Sequence, residues 1–153
     1  MYLNKIYQAS TINNFIKNIK SKNKKIVFTN GCFDILHVGH VRYLFEAKKL
    51  GDFLIVAINS DESVKKLKGN SRPIVPENDR LEIIAALEFV DCVIMFKEET
   101  PYNIISLIKP DVLVKGGDYK KEDIVGNDIV PKVVTIPLVE GKSTTNILQR
   151  NNF

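Results

Sequence analysis

The chain has 153 residues, 44% of them hydrophobic and 26% charged, with a formal net charge of +4. These values are ordinary for a globular protein, and the length favours one domain over two. The modest charge does not indicate a nucleic acid as the main partner, but the scattered lysines suit an anionic small substrate. No window is apolar enough for a signal core or a membrane span, and two cysteines without metal-ligand spacing suggest buried free thiols. We therefore expect a cytoplasmic protein with no nucleic-acid or membrane partner.

The hydrophobic pattern predicts an arm followed by alternating strands and helices. Residues 1–24 form a polar arm with one amphipathic helix, because apolar residues from Ile12 to Ile19 have helical spacing, and residues 25–153 form the domain. Short β-branched runs, typical of strands buried on both faces, then alternate with helical stretches. The predicted strands are 25–29, 53–59, 92–96, 111–115 and 132–137. Two predicted helices cover about 38–50 and 78–90. A third begins near Thr100, and a short last helix follows Ser143.

This alternation predicts an α/β fold, with a doubly wound parallel sheet of about five strands and helices on both faces. Ligands of such sheets bind beyond the carboxyl ends of the strands, at a switch point of the topology. The stretch VFTNGCFDILHVGH, residues 27–40, lies at such an end.

The end of the first predicted strand has the features of a phosphate site. The strand ends in Thr29, Asn30 and Gly31, and Gly31 allows the backbone to pass close to a ligand. The next helix begins near Gly39, so its free N–H groups and positive dipole end face the same crevice. We expect Gly39 to leave the space that a phosphate needs.

His37 and His40 are the only histidines of the sequence. Beside a phosphate they would stabilise charge on its oxygens without acting as nucleophiles. They could also be structural parts of the turn, or metal ligands together with Asp34. Asp34 and His37 precede the helix, however, and no Cys or further His completes a zinc set, so we predict no protein-bound metal.

The motif GCFDILHVGH resembles the GxFDxxHxGH signature of the cytidylyltransferase-like nucleotidyltransferase superfamily, with matches at Gly31, Phe33, Asp34, His37, Gly39 and His40. The segment EGKSTTNIL, residues 140–148, is similar to the GxSTT segment that closes over the nucleotide phosphates in that superfamily. It also ends like a P-loop, but a P-loop requires glycine where Ile136 stands. The resemblance implies a Rossmann-like sheet.

Three further stretches resemble the adenylyltransferases that make ADP-heptose from ATP and D-glycero-β-D-manno-heptose 1-phosphate, a step of lipopolysaccharide precursor synthesis. They are INSDESVKKLKGNSRPIVPENDR (58–80), DVLVKGGDY (111–119) and VEGKSTTNI (139–147). Many of these proteins carry a preceding sugar kinase domain, and we expect this chain to be the separate form. One alternative is glycerol-3-phosphate cytidylyltransferase, whose usual Arg-Thr is replaced here by Leu138 and Val139, or another sugar- or alcohol-phosphate nucleotidyltransferase. A second is a non-catalytic nucleotide-binding module of the same fold.

The resemblance also implies roles for individual residues. The catalytic residues would be His37, His40 and Lys68. The nucleotide would be bound by Thr29, Asn30, Gly31, Cys32, Phe33, Gly39, Gly117, Asp118, Gly141, Ser143, Thr144 and Thr145. The acceptor would be bound by Asp34, Lys66, Arg80 and Lys115.

For several of these residues a structural interpretation stays open. Lys66 and Lys68 are expected on a loop after the second strand, which could be a solvated basic loop. Arg80 could form a surface ion pair, and Asp118 could cap a glycine-rich turn. We expect ATP as substrate, Mg²⁺ carried by the nucleotide, and a homodimer or higher homo-oligomer.

Overall fold

The computed structural model describes residues 1–151, and residues 152 and 153, the end of the predicted domain, lie outside them. Its strands are β1 (Ile6–Tyr7), β2 (Ile26–Gly31), β3 (Phe53–Asn59), β4 (Cys92–Phe96), β5 (Val112–Gly116) and β6 (Lys132–Ile136). Its α-helices are α1 (Ile12–Ser21), α2 (Val38–Lys48), α3 (Asp61–Lys68), α4 (Glu77–Ala85), α5 (Tyr102–Ile108) and α6 (Thr144–Arg150). Tyr2–Lys5 and Lys121–Asp123 form short 3₁₀ helices.

The strands form one parallel sheet in the order β1-β4-β3-β2-β5-β6. The chain builds outward from β2 to β4 on one side and then crosses to β5 on the other side of β2. The crevice between the carboxyl ends of β2 and β5 is therefore the switch point at which such sheets bind ligands. The predicted α/β, doubly wound parallel fold is confirmed.

Helices cover both faces of the sheet. One core cluster joins α1 and α5 to side chains such as Phe28 and Ile55, and the other joins α2 and α4 to their neighbours Val27 and Leu54. Successive strand residues thus face opposite buried layers, which explains the near-continuous β-branched composition of the strands. In residues 1–151 no helix is long and apolar enough to cross a membrane.

Within residues 1–151 the sheet has six strands rather than about five, because the N-terminal arm contributes β1 at its edge. Ile6 lies opposite Val93 and Tyr7 opposite Ile94. A strand of two residues is too short to show an alternating pattern. The arm also contains α1, whose buried isoleucines have the predicted helical spacing. The division into an arm and a domain stays a prediction.

The predicted loop after β3 is instead the helix α3. Ser60 caps it, because its Oγ accepts the N–H of Ser63 at 3.2 Å. Acidic residues in the first turn and lysines in the last turn complement the helix dipole. Only Ser63 and Val64 of this helix are buried, so no apolar stripe marked it in the sequence.

Candidate active site

A cleft of about 690 Å³ lies where the carboxyl ends of β2 and β5 meet the first turns of α2 and α6. This volume is in the range of small-molecule sites. The cleft brings together many of the predicted site residues, namely Asn30, Gly31, Cys32, Phe33, Asp34, His37, Gly39, His40, Lys68, Lys115, Ser143, Thr144 and Thr145.

His37 and His40 cap the helix that begins between them. His37 is the N-cap residue of α2, and its Nδ1 accepts the N–H of Gly39 at 3.1 Å. Nδ1 of His40 in turn accepts the N–H of His37 at 3.4 Å, which completes a reciprocal capping box. The two rings stack with centroids 3.9 Å apart, and Phe33 packs edge-on against His40. Because each Nδ1 is an acceptor, the proton of each neutral ring is on Nε2.

Both histidines are neutral at pH 7. Burial, and then the neighbouring His37, lowers the pKa of His40 from 6.5 to about 4, although a contact with the Ile35 backbone opposes this shift. Burial also lowers the pKa of His37, and the positive charge of Lys142 lowers it further. Protonation of Nδ1 would end its role as an acceptor, so the helix cap favours the same neutral state. The pair therefore offers hydrogen-bond donors rather than imidazolium charges.

Gly39 has a different role from the predicted one. A Cβ at this position would lie 2.8 Å from Cε1 and 2.9 Å from Nδ1 of His37, and 3.3 Å from Cβ of Lys142. The space that we assigned to a phosphate is therefore taken by the His37 ring. Glycine lets that ring lie against the first turn of α2 and lets Lys142 approach it.

The segment before α6 closes the other side of the cleft. Ser143 caps α6, since its Oγ accepts the N–H of Asn146 at 3.0 Å. The hydroxyl of Thr144 donates to the carbonyl of Ile35 at 3.3 Å. This bond ties the start of α6 to the turn that carries His37. The two motifs, more than one hundred residues apart, thus face one cleft.

A cytidylyltransferase-like family model matches residues 28–150. That span runs from β2 to α6 and contains the whole lining of the cleft. The chain belongs to the cytidylyltransferase-like family.

Relatives agree with this membership. The chain is 60% identical over 134 residues to a protein of a Nitratiruptor species named bifunctional protein HldE, and the match covers 88% of this chain and 29% of that protein. A protein of the same name from Aliarcobacter butzleri is 63% identical over 127 residues, covering 83% and 27%. The chain thus spans less than a third of the length of these curated relatives. A crystal structure of the lipopolysaccharide core biosynthesis protein from Thermoplasma volcanium superposes with a TM-score of 0.66 and 36% identity, over 76% of this chain and 99% of that one.

In this member of the cytidylyltransferase-like family, Arg80 is not part of the cleft lining. Its side chain has no exposed surface, and it donates to the carbonyls of Cys32, Asn59 and Val75 and to Asp61. The predicted contact with an anionic substrate is replaced by these internal bonds. Arg80 ties the end of β2 to the end of β3 beneath the site.

Asp34 borders the cleft, but its carboxylate is committed to the protein. It accepts the N–H groups of Ile74 and Val75 at 2.8 Å each and pairs with Nε of Arg72. Asp34 therefore does not join the two histidines as a metal-ligand set. Cys32 also borders the cleft, whereas Cys92 is a buried free thiol as expected.

Other predicted residues lie outside the lining for separate reasons. Thr29 is buried under the site, where its hydroxyl bonds Tyr43 at 2.6 Å and donates to the Val114 carbonyl. Lys66 is exposed on α3 and pairs with Glu62 at 3.2 Å. The remaining three, which are absent from the lining, are Gly117, Asp118 and Gly141.

Several residues that line the cleft were not predicted from the sequence, among them Tyr43, Asn59, Arg72, Tyr119 and Lys142. Lys142 lies inside the GKSTT segment and Arg72 inside the resembling stretch 58–80, so their charge was a usable signal. Tyr119 follows the GGD turn, and Lys115 Nζ lies 5.2 Å from the centre of its ring. Tyr43 and Asn59 look like ordinary helix and strand residues in the sequence.

Proposed function

We propose that this chain is an adenylyltransferase that transfers AMP from ATP to D-glycero-β-D-manno-heptose 1-phosphate and releases pyrophosphate. The observation that carries the proposal is the meeting of the His37–His40 turn and the Ser143–Thr145 segment on one cleft. The resemblance of the loops and the family membership support the reaction class. The Thermoplasma relative, named for lipopolysaccharide core biosynthesis, supports the sugar.

The cleft offers complementary surfaces to the two ends of a nucleotide. The remaining first-turn N–H groups of α2, the hydroxyls of Ser143 and Thr145 and the ammonium of Lys142 suit the triphosphate. At the β5 end, Tyr119, Val125 and Leu138 line the cleft although each is exposed by a third or more of its surface. Such exposed apolar side chains suit an adenine ring, which would cover them.

The chemistry is an in-line displacement at the α-phosphorus. An oxygen of the sugar phosphate forms a new bond to that phosphorus, the bond to the bridging oxygen between the α- and β-phosphates breaks, and pyrophosphate leaves with the electron pair. No proton transfer and no covalent enzyme intermediate are needed. The protein contributes positioning and charge stabilisation.

His37 and His40 stabilise the charge that develops on the α-phosphate. As neutral rings with Nδ1 occupied they act through Nε2–H, which donates but does not attack. Their orientation is fixed before substrate arrives, because the cap of α2 holds both rings.

Mg²⁺ enters this proposal as part of the nucleotide substrate. The cleft wall presents lysines, histidines, hydroxyls and two carboxylates, of which the buried Asp34 is already bonded to Arg72 and two backbone N–H groups. The other, Glu99, belongs to no cluster of metal-ligating side chains within residues 1–151. Such a wall fits an ion that stays on the phosphate oxygens, where it neutralises part of their charge. The homo-oligomer and the cytoplasmic location expected from the sequence stay predictions.

A pyrophosphate-release assay tests the proposal. ATP and CTP are each paired with heptose 1-phosphate and with glycerol 3-phosphate, and product is expected only with ATP and heptose 1-phosphate. Turnover of CTP with glycerol 3-phosphate would instead show the cytidylyltransferase alternative. Absence of pyrophosphate with every pair would favour the non-catalytic nucleotide-binding module. In the productive pair His40→Ala should lose ~10²–10³-fold in kcat, the usual cost of one well-placed donor, and a near-normal rate would refute its role.

A further inference from the structure

The segment after α3 is fixed to the motif turn by one buried carboxylate. Asp34 is 2% exposed and accepts three N–H groups, from Arg72, Ile74 and Val75. These bonds use most of the acceptor capacity of a carboxylate. Asp34 has little capacity left for a substrate, but it determines where residues 72–75 lie.

Arg72 is the residue that this arrangement delivers to the cleft. Its side chain is 12% exposed, its Nε is held by Asp34, and it lines the cleft. Within residues 1–151, its two terminal nitrogens have no hydrogen-bond partner. A guanidinium held at Nε and free at both ends is a pre-organised fork for a phosphate or carboxylate.

Apart from Lys115, which lies over the Tyr119 ring at the β5 end, the Lys and Arg side chains that line the cleft fall into two groups. Burial raises the pKa of the Cys32 thiol, while nearby positive charges oppose that rise; they belong to Lys68, Arg80 and Arg72. Arg80 donates only to internal carbonyls and to Asp61 and does not line the cleft. Of these three cations, Lys68 and Arg72 therefore line the cleft. Lys142 belongs elsewhere, since it lies beside His37 and Gly39.

Two groups of cations match a reaction that brings two anions together. Lys142 stands beside the α2 turn and directly before Ser143, where the triphosphate is proposed to bind. Lys68 and Arg72, beside Cys32, remain for the second anion. We infer that Arg72, positioned by Asp34, binds the phosphate of the acceptor, with Lys68 as a second cation. This inference rests on the proposed function but not on the identity of the sugar.

Steady-state kinetics with both substrates varied test this assignment. Arg72→Gln should raise KM for the sugar 1-phosphate ~10–100-fold, the effect of losing charge-assisted hydrogen bonds, and should leave KM for ATP within about twofold. Arg72→Lys keeps the positive charge but lacks the forked pair of donors, so its KM for the sugar 1-phosphate should lie between those of the wild type and Arg72→Gln. Asp34→Asn should raise the same KM, because the amide no longer attracts Arg72. Thermal unfolding confirms that each variant is folded, and Lys65→Gln, a change on the exposed face of α3, should alter neither KM.

The outcomes separate the inference from the proposed function. The inference is overturned if Arg72→Gln raises KM for ATP as much as KM for the acceptor, or if it raises neither KM. In that case the proposed function still stands, provided that the wild type turns over heptose 1-phosphate. If the wild type uses another phosphate monoester, the heptose assignment fails, and the same KM comparison with that acceptor decides the role of Arg72. Failure of the wild type with every monoester overturns both.

Discussion

Replacement of Gly39 by alanine should inactivate the enzyme while leaving the fold almost unchanged. The new Cβ would stand 2.8 Å from Cε1 of His37, a separation that folded proteins do not tolerate, so the ring must move by about 0.6–1.2 Å to reach ordinary contact at 3.4–4 Å. The movement breaks the bond from the Gly39 N–H to Nδ1 of His37. The ring then loses both its position and the contact that fixes its tautomer.

Two effects on stability nearly cancel in this variant. Loss of an N-cap bond costs about 0.5–2 kcal/mol, whereas alanine in a helix is more favourable than glycine by about 1 kcal/mol. The free energy of unfolding should therefore change by no more than about 1 kcal/mol. A catalytic donor misplaced by about 1 Å, in contrast, costs about 10²-fold in rate. Activity should fall far more than stability.

The measurements are pyrophosphate release and urea unfolding on the same preparations. Val38→Ala is the matched control, because Val38 is the first residue of α2, is 40% exposed and is not part of the cleft lining. That variant should keep the wild-type rate. A folded Gly39→Ala enzyme with a rate close to wild type would refute the reasoning, as would a loss of activity explained entirely by unfolding.

Three further predictions concern the support of the site. The neutral form of His40 is favoured in the folded state, so stability should decrease as the pH falls from about 6.5 towards about 4. Thermal unfolding curves over this pH range should show a smaller decrease for His40→Gln, and an equal decrease in both proteins would contradict the prediction. Arg80→Met leaves three carbonyls and a carboxylate without their buried donor, so the free energy of unfolding in urea should fall by about 3–5 kcal/mol. The exposed control Arg42→Met should lose less than about 0.5 kcal/mol, and a similarly small loss for Arg80→Met would argue against its internal role. Tyr43→Phe removes the hydroxyl that bonds Thr29 at 2.6 Å and should cost about 1 kcal/mol by the same method, and an unchanged midpoint would show that this bond contributes nothing.

The central sheet could be predicted because its sequence signal is redundant. Strands buried on both faces need continuous apolar runs, and β3 and β4 begin and end where those runs do. β1 has only two residues and is recognised only through its pairing with β4, a contact that sequence pattern does not contain. The helix α3 is stabilised by its Ser60 cap and by its charges rather than by an apolar stripe, so the hydrophobic pattern identified a loop.

The sequence motifs predicted where the cleft lies, but they only partly predicted which charged side chains line it. Charged residues in a sequence look alike whether they end in solvent, in a cleft or in the core. Arg80 is fully buried, Lys66 is exposed beside Glu62, and Arg72 is held at the cleft by Asp34. Those differences arise largely from distant partners, since Asp61 lies 19 positions from Arg80 and Asp34 lies 38 positions from Arg72. For Lys66 they arise from the helix α3, which places Glu62 beside it. Spacing alone does not encode them.

The spacing of the HVGH motif, in contrast, follows from helix capping. An N-cap residue and the third helical residue are three positions apart and can satisfy each other's backbone N–H groups, a role usually filled by Ser or Thr with Glu or Gln. Here His37 and His40 fill both positions, and Gly39 provides the space in which the first ring can accept its bond. A usual capping pair would hold α2 equally well but would place no imidazole rings in the cleft lining. The same two bonds that begin the helix therefore set the tautomer and orientation that the proposed chemistry requires, so the demands of folding and of phosphate binding select the same residues.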